Sequence, residues 1–185
     1  MKKTIKRFLC VVMCFVLILP FALSAAAAGI DTGFTQEDFL VTKGNKIYNQ
    51  KGEEIILRGV NLGSWLIQED WLSPYEEAQD HHDMLETLID RFGTERAYAL
   101  MNTYQDNWIT EYDLDQIKEM GFNCVRVPFW YRNFYSDDNG TKILDKNGEW
   151  DFRYLDWIVE ECSKRQIYVI LDMHGAPGFQ SDAPH

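Results

Sequence analysis

Three polar side chains lie within or at the end of apolar segments that are predicted to be strands of one sheet. Arg126 interrupts the apolar segment 122–129, and Asp172 and His174 close the segment that begins at Ile167. Residues two apart in a strand face the same side, so Asp172 and His174 share a face. Ligands bind at the carboxyl ends of parallel strands, and this pair is therefore predicted to form part of an active or binding site. The alternative is that both residues cap the following loop.

Arg126 is the unusual residue of its segment. A guanidinium within an apolar strand is strongly unfavourable unless a carboxylate pairs with it. We therefore expect an acidic partner close by, and the pairing would lower the pKa of that carboxylate and hold it ionised. The alternative is a buried ion pair that serves only the scaffold.

The segments that carry these residues are predicted to be strands of one sheet. Residues 167–171 are apolar or aromatic without polar alternation, which is typical of a parallel strand covered on both faces. Residues 57–62 and 122–129 are predicted as two further core strands. Before them, short strands within residues 39–57, separated by Gly and Asn turns, predict a small antiparallel ribbon.

Helices are predicted between the strands. Thr110 and Asp113 form a capping signature for one helix, and Asp151 is the predicted N-cap of another. The long connection 65–110 is of a length typical of binding loops and contains a helical pattern of its own. The face predicted to pack in the core consists of Ala97, Leu100, Met101, Tyr104 and Trp108.

Strand and helix alternation of this kind indicates an α/β fold built from βαβ units. The sequence contains neither the G-x-G-x-x-G nor the G-x-x-x-x-G-K-[ST] pattern, which disfavours nucleotide-binding folds. It also lacks the G-x-S-x-G pattern of serine esterases.

The first 28 residues are predicted to be a secretory signal peptide. Four basic residues precede an apolar run from Phe8 to Leu23, and small residues from Ser24 to Ala28 follow it. The run is shorter than the ~20 residues of a comfortable membrane span. We therefore expect an exported protein with no membrane anchor after cleavage.

Charge and cysteine content restrict the partners of the exported chain. The whole sequence has a formal net charge of −11, and removal of four positive charges with residues 1–28 makes it −15. An acidic protein is a poor partner for nucleic acid or anionic lipid, whereas a neutral substrate is compatible with it. Cys124 and Cys162 remain after cleavage; one bridge is possible, but their apolar stripes favour two buried free thiols.

Three motifs in this order resemble glycoside hydrolase family 5, and within it the exo-β-1,3-glucanase branch. They are R-G-V-N-L-G-S-W from Arg58, G-F-N-C-V-R-V-P from Gly121, and H-G-A-P-G-F-Q from His174. Together they cover most of residues 39–182. The resemblance implies a (β/α)8 TIM barrel of which the first three βα units are present, so residues 29–185 are expected to be the N-terminal part of a catalytic domain.

The resemblance also implies a retaining mechanism on β-glucans, in which two glutamates follow the fourth and seventh barrel strands. Neither strand lies within these residues, so the 185-residue polypeptide by itself is expected to be inactive. The alternatives are a non-catalytic polysaccharide-binding protein and, within the family, a β-1,4-endoglucanase. Neither a cofactor nor a metal is expected, since His81 and His82 stand in a predicted polar loop without further ligands at suitable spacing.

Family positions assign roles to the site residues. Arg126 matches the arginine that supports the nucleophilic glutamate, and His174 matches the histidine that hydrogen-bonds the sugar at the cleavage subsite. Glu69 aligns with a carboxylate that binds hydroxyls of a terminal glucose, with a solvated loop acid as the alternative. Trp71 occupies a position suited to stacking on a sugar, with core packing as the alternative, and Asp172 is predicted to assist substrate binding.

One departure from the family pattern concerns the first motif. Ser64 stands where the fungal enzymes usually have glycine, and the residues around Glu69 also differ from the usual family sequence. These differences bear on linkage specificity more than on family.

Overall fold

A computed structural model of the protein describes residues 33–72, 78 and 80–177. The predicted signal peptide lies outside these residues, and so does the third motif from Gly178 onward. Within the described part of the chain, no helix is both long and apolar enough to cross a bilayer.

The described residues form two small sheets and the helices that flank them. In chain order the elements are β1 Val41–Lys43, β2 Lys46–Tyr48, β3 Gly59–Asn61, α1 His81–Phe92, α2 Thr94–Trp108, α3 Glu111–Glu119, β4 Cys124–Trp130, α4 Arg153–Lys164 and β5 Tyr168–Gly175. Short 3-10 turns occupy Gln36–Asp38, Asp70–Leu72 and Tyr131–Asn133.

The first sheet is an antiparallel pair, β1 with β2, extended by a single bridge between Tyr48 and Glu54. The second sheet is parallel, with the strand order β3-β4-β5. Since β4 is the central strand, it positions both of its neighbours. Its register sets Arg126 beside Asn61 of β3 and Ile170 of β5.

The main core lies on the face of β4 opposite to Arg126. Val125, Val127 and Phe129 are buried there, because alternate residues of a strand point to opposite faces. Leu114 of α3 and Ile158 of α4 belong to the same apolar cluster. Burial of this face therefore turns Arg126 toward the other side of the sheet.

Helix α3 begins where the sequence predicts. The side chains of Thr110 and Asp113 form the capping box: Asp113 accepts from the Thr110 amide at 2.8 Å. Gly121 follows the helix with φ +81°, a conformation that favours glycine and lets the chain turn into β4. At α4 the prediction is one residue off, since Phe152 is the N-cap and Asp151 accepts from the amide of Arg153 instead.

The predicted burial of β5 on both faces is wrong for the described residues. Ile170, Leu171 and Met173 are 46%, 46% and 48% exposed. In the described residues β5 is an edge strand that pairs only with β4. The apolar sequence of β5 is typical of a buried strand, but an apolar sequence does not specify which neighbouring element buries it.

The predicted core face of α2 is partly wrong. Ala97 and Met101 are buried, but Leu100 and Trp108 are exposed, and Gln105 is buried in their place. The reason is that α2 packs against α1, a helix that the sequence analysis did not predict, in a separate apolar cluster with Met84, Leu85 and Leu88. The partner helix, not the sheet, decides which stripe of α2 is covered.

The two cysteines of the described chain are buried and unpaired. Burial raises the pKa of the Cys162 thiol to about 12 and also raises that of Cys124. Both thiols therefore stay protonated and unreactive at neutral pH.

Ser64 occupies a backbone position that suits glycine. Its φ is +54°, in the left-handed region, and the side chain is almost wholly buried. Its hydroxyl has no hydrogen-bond partner among the residues that the structure describes. A glycine at this position would fit this geometry without either penalty.

Replacing Ser64 with glycine is expected to stabilise the protein by roughly 1–2 kcal/mol. Relief of the left-handed strain and of the unpaired hydroxyl outweighs the entropy that glycine adds to the unfolded chain. Urea denaturation measures the change. Gln166→Gly is the matched control, because Gln166 also has φ +54° but is exposed. Equal effects of the two variants, or a destabilised Ser64→Gly, would contradict the account of the buried hydroxyl.

Candidate active site

The predicted site residues meet at the carboxyl edge of the parallel sheet. Asn61 pairs in register with Arg126, and Pro128 with Asp172, so that these residues share one face with His174. The geometry brings Arg126 and His174 within 3.1 Å of each other, between Nη2 and Nδ1.

The Arg126 guanidinium contacts three side chains. Its Nη2 donates to Asp172 Oδ2, and its Nη1 donates to Asn61 Oδ1 at 3.3 Å. Asp172 is therefore the acidic partner that the apolar surroundings of Arg126 predict. The side chains of Arg126 and Asp172 are 35% and 31% exposed, so the pair is not fully buried and remains accessible from solvent.

His174 connects this ion pair to Glu69. Its Nδ1 lies 3.1 Å from Asp172 Oδ2, and its Nε2 lies 4.0 Å from Glu69 Oε1. Nδ1 thus lies 3.1 Å from both a donor, Arg126 Nη2, and an acceptor, Asp172 Oδ2. In the tautomer whose Nδ1 accepts from Arg126, the proton of the neutral imidazole is on Nε2. That tautomer directs an N–H toward the Glu69 carboxylate.

The gap between His174 and Glu69 suits a hydroxyl group. A separation of 4.0 Å between Nε2 and Oε1 is too long for a direct hydrogen bond. A hydroxyl oxygen about 2.8 Å from both atoms would bridge them from one side, accepting from Nε2–H and donating to the carboxylate. The arrangement can hold one hydroxyl with defined donor and acceptor roles.

Trp71 lies two residues beyond Glu69 in the turn Asp70–Leu72. Its side chain is 71% exposed, which contradicts core packing. An exposed indole beside a carboxylate can present its face to a sugar ring.

His81 is a residue that the sequence analysis misjudged. The predicted polar loop is instead the first turn of α1, capped by Asp80, whose side chain accepts from the amide of Asp83. His81 is only 6% exposed, and its Nδ1 accepts from the backbone amide of Gln68 at 3.1 Å. Among the described residues, no group of three or more His, Cys, Asp or Glu is arranged to hold a metal ion.

Burial lowers the pKa of His81 to about 4, although the nearby Asp80 carboxylate opposes the shift. The imidazole is therefore neutral at neutral pH, as its acceptor role requires. The signal that could have revealed this is Asp80 as an N-cap before the apolar pattern of Met84, Leu85 and Leu88.

The stability of the protein is expected to fall as the pH is lowered from about 6.5 to about 4. Between these values His81 takes up a proton in the unfolded chain but not in the folded one. Above about pH 6.5 the neutral imidazole contributes its full stabilisation. By about pH 4 the free energy of unfolding is lower by about 3 kcal/mol. Urea denaturation across this range measures it, and the wild type should lose more than His81→Gln, which does not titrate. Parallel profiles would contradict the expectation.

Fold and site together define an α/β protein with a cation, an imidazole and a carboxylate around a cleft at the carboxyl edge of its parallel sheet. Residues 87–184 match the family model described as Cellulase (glycosyl hydrolase family 5). The chain belongs to glycosyl hydrolase family 5, whose members form TIM barrels, and this confirms the resemblance that its motifs indicate.

Curated relatives agree with this assignment. The chain is 34% identical over 147 residues to a β-xylosidase of Phanerodontia chrysosporium, covering 80% of this chain and 30% of the relative. It is 34% identical over 133 residues to a glucan 1,3-β-glucosidase of Candida oleophila, covering 68% and 30%. It is 28% identical over 193 residues to glucan 1,3-β-glucosidase 2 of Saccharomyces cerevisiae, covering 90% and 34%. The chain thus spans about a third of the length of these relatives.

Proposed function

We propose that these residues form the sugar-holding part of the active site of an exported, retaining β-glucan hydrolase of the glucan 1,3-β-glucosidase type. The observation that carries the proposal is the contact of Arg126 with Asp172 and His174, with His174 facing Glu69 across a hydroxyl-sized gap. Family membership supplies the reaction class. The acidic chain is compatible with a neutral β-glucan polysaccharide or oligosaccharide as substrate.

In this proposal residues 1–28 direct export, and residues 29–185 are the N-terminal part of a (β/α)8 catalytic domain. Strands β3, β4 and β5 correspond to the first three strands of the barrel, preceded by the β1–β2 ribbon. The exposed apolar residues of β5 support this, because Ile170 on one face and Leu171 on the other are suited to cover by further barrel elements.

The mechanism follows the two-glutamate scheme of retaining enzymes. One carboxylate attacks the anomeric carbon while the other protonates the departing oxygen, and water then hydrolyses the glycosyl-enzyme. By the family pattern these glutamates follow the fourth and seventh strands. The Arg126 cation stabilises the ionised nucleophile, and His174 and Glu69 hold a hydroxyl of the sugar that is cleaved. Trp71 offers a stacking face to the same sugar.

Asp172 has a positioning role in this proposal. Its Oδ2 accepts from Arg126 and lies against Nδ1 of His174. We infer that this oxygen positions Arg126 and His174, while the side chain, 31% exposed, stays accessible to substrate.

Hydrolysis products test the proposed function. The complete gene product is incubated with laminarin, a soluble β-1,4-glucan and an aryl β-xyloside, the last because one relative is named a β-xylosidase. Glucose released from laminarin, initially as the β-anomer, supports the proposal. Oligosaccharides from the β-1,4-glucan favour the endoglucanase alternative. Binding to laminarin without hydrolysis favours a non-catalytic polysaccharide-binding protein.

The 185-residue polypeptide alone is expected to hydrolyse neither laminarin nor an aryl β-glucoside. The physical reason is that a retaining enzyme needs two carboxylates about 5–5.5 Å apart, and the family places both after later strands. Reducing-sugar release measures the activity, with the complete gene product as control. Measurable hydrolysis by the 185-residue polypeptide would contradict the family-based placement of the glutamates.

A further inference from the structure

Two hydrogen bonds and a strand bridge hold the backbone segment before Glu69 in place. The amide of Gln68, immediately before Glu69, donates to Nδ1 of His81 at 3.1 Å. The Gln68 side chain donates to the carbonyl of Ser64 at 2.6 Å. Leu66 forms a parallel bridge with Phe129, in β4. The polypeptide before Glu69 is therefore fixed at three points, and one of them is a side chain from α1.

The His81 ring is also fixed. It is buried and lies against Trp130, with ring centroids 4.6 Å apart. Trp130 in turn lies against Gly175, where an added Cβ would be 2.5 Å from Trp130 Cδ1. Since Gly175 follows His174 directly, His81 contacts the Glu69 segment on one side and, through Trp130, the end of β5 on the other.

We propose that His81 is a positioning residue that sets the distance between Glu69 and His174, and thereby the affinity for the sugar hydroxyl held between them. This inference rests on the proposed function and adds a residue to it. His81 itself does not touch the cleft residues, so it acts through Gln68 and Trp130.

The chemistry of the contact is specific to a neutral imidazole. The Gln68 amide is buried and needs an acceptor. In neutral histidine the nitrogen without a proton supplies it, so the proton is on Nε2. Without that acceptor, the peptide that joins Gln68 to the preceding residue would rotate toward water. Rotation at this point moves Glu69, whose carboxylate is 4.0 Å from His174.

Two amide substitutions at His81 distinguish the acceptor role of Nδ1 from the other contributions of the imidazole. In His81→Asn the amide oxygen takes the place of Nδ1, whereas in His81→Gln the amide lies where Nε2 was. In the complete gene product we expect His81→Gln to raise KM for laminari-oligosaccharides about tenfold, the equivalent of one neutral hydrogen bond, with kcat within about threefold of wild type. We expect His81→Asn to stay within about threefold in both. Glu86→Gln, at an exposed position of the same helix, is the control and should leave both constants unchanged.

A double-mutant cycle shows whether His81 acts through Glu69. In the Glu69→Gln background, His81→Gln should add less than about twofold to KM, because the group that it positions has already lost its charge. An unchanged additional tenfold effect would overturn the inference, as would a wild-type KM in folded His81→Gln. Equal effects of the Asn and Gln variants would also overturn it, since they would show that the acceptor position does not matter.

Amide hydrogen exchange provides a readout that does not depend on hydrolysis. Exchange at Gln68 should be at least about tenfold faster in His81→Gln than in wild type, and close to wild type in His81→Asn. Unchanged exchange at Gln68 in His81→Gln would overturn the inference by itself. Failure of the wild type to act on any β-glucan would instead overturn the proposed function, so the two failures are distinguishable.

Discussion

Replacing Arg126 with alanine in the complete gene product is expected to lower kcat/KM for laminarin by at least about 100-fold, the scale of a lost transition-state contact in a preorganised site. In the structure one guanidinium holds Asn61, Asp172 and His174 together. Its removal takes away the cation that, in the proposed function, stabilises the nucleophile, and it removes a group within hydrogen-bond distance of Nδ1 of His174. Both losses act on the reacting groups, so kcat should fall more than KM rises.

Two variants test whether the charge or the shape of Arg126 matters. Lysine keeps the charge but has a single nitrogen, which cannot contact all three partners at once, so Arg126→Lys should still lose at least about tenfold. Arg153→Ala is the matched control, because Arg153 is an exposed arginine of α4 that contacts Asn102, Tyr154 and Asp151. Thermal unfolding identifies any loss of structure. A folded Arg126→Ala within threefold of wild type would remove the site assignment.

Replacing His174 with alanine is expected to lower kcat/KM by a similar factor, at least about 100-fold. The imidazole uses both nitrogens: Nδ1 lies 3.1 Å from Arg126, and Nε2 faces Glu69. Alanine removes the hydroxyl donor and leaves the Arg126 and Asp172 pair without its third member. The effect is expected in steady-state kinetics on laminari-oligosaccharides.

The two nitrogens of His174 can be tested separately. Asparagine keeps an acceptor near the Nδ1 position but has no group near Nε2, so His174→Asn should lose nearly as much activity as alanine if the sugar contact dominates. His82→Ala, at an exposed histidine, is the control and should retain activity. Recovery of activity in His174→Asn would show that His174 serves the Arg126 cluster and not the sugar.

Sequence reasoning succeeded where the cause is local. The capping box at Thr110 and Asp113 needs only side chains three residues apart, and the structure confirms it. Strand β4 was predicted from its apolar run, and the unusual charge of Arg126 predicted an acidic partner, which is Asp172. The spacing of Asp172 and His174 placed both on one face, because strand geometry repeats every two residues.

Errors arose where burial depends on how elements pack against each other. Core packing was predicted for Leu100 and Trp108 of α2, but both are exposed, whereas Ala97 and Met101 pack against α1. A polar loop was predicted at His81 because its sequence neighbours are polar. His81 is instead buried, in contact with Trp130 and the amide of Gln68.

The sequence by itself determined the family, the parallel strands and the types of side chain that reach the cleft, because motif order and strand periodicity are properties of neighbouring residues. The tertiary structure alone decided that Asp172 pairs with Arg126, that Nε2 of His174 and Oε1 of Glu69 lie 4.0 Å apart, and that His81 accepts from the amide of Gln68. These are distances between residues that lie far apart along the chain. They are set by how β4, β5 and α1 pack, and packing is a property of the whole core and not of any one segment.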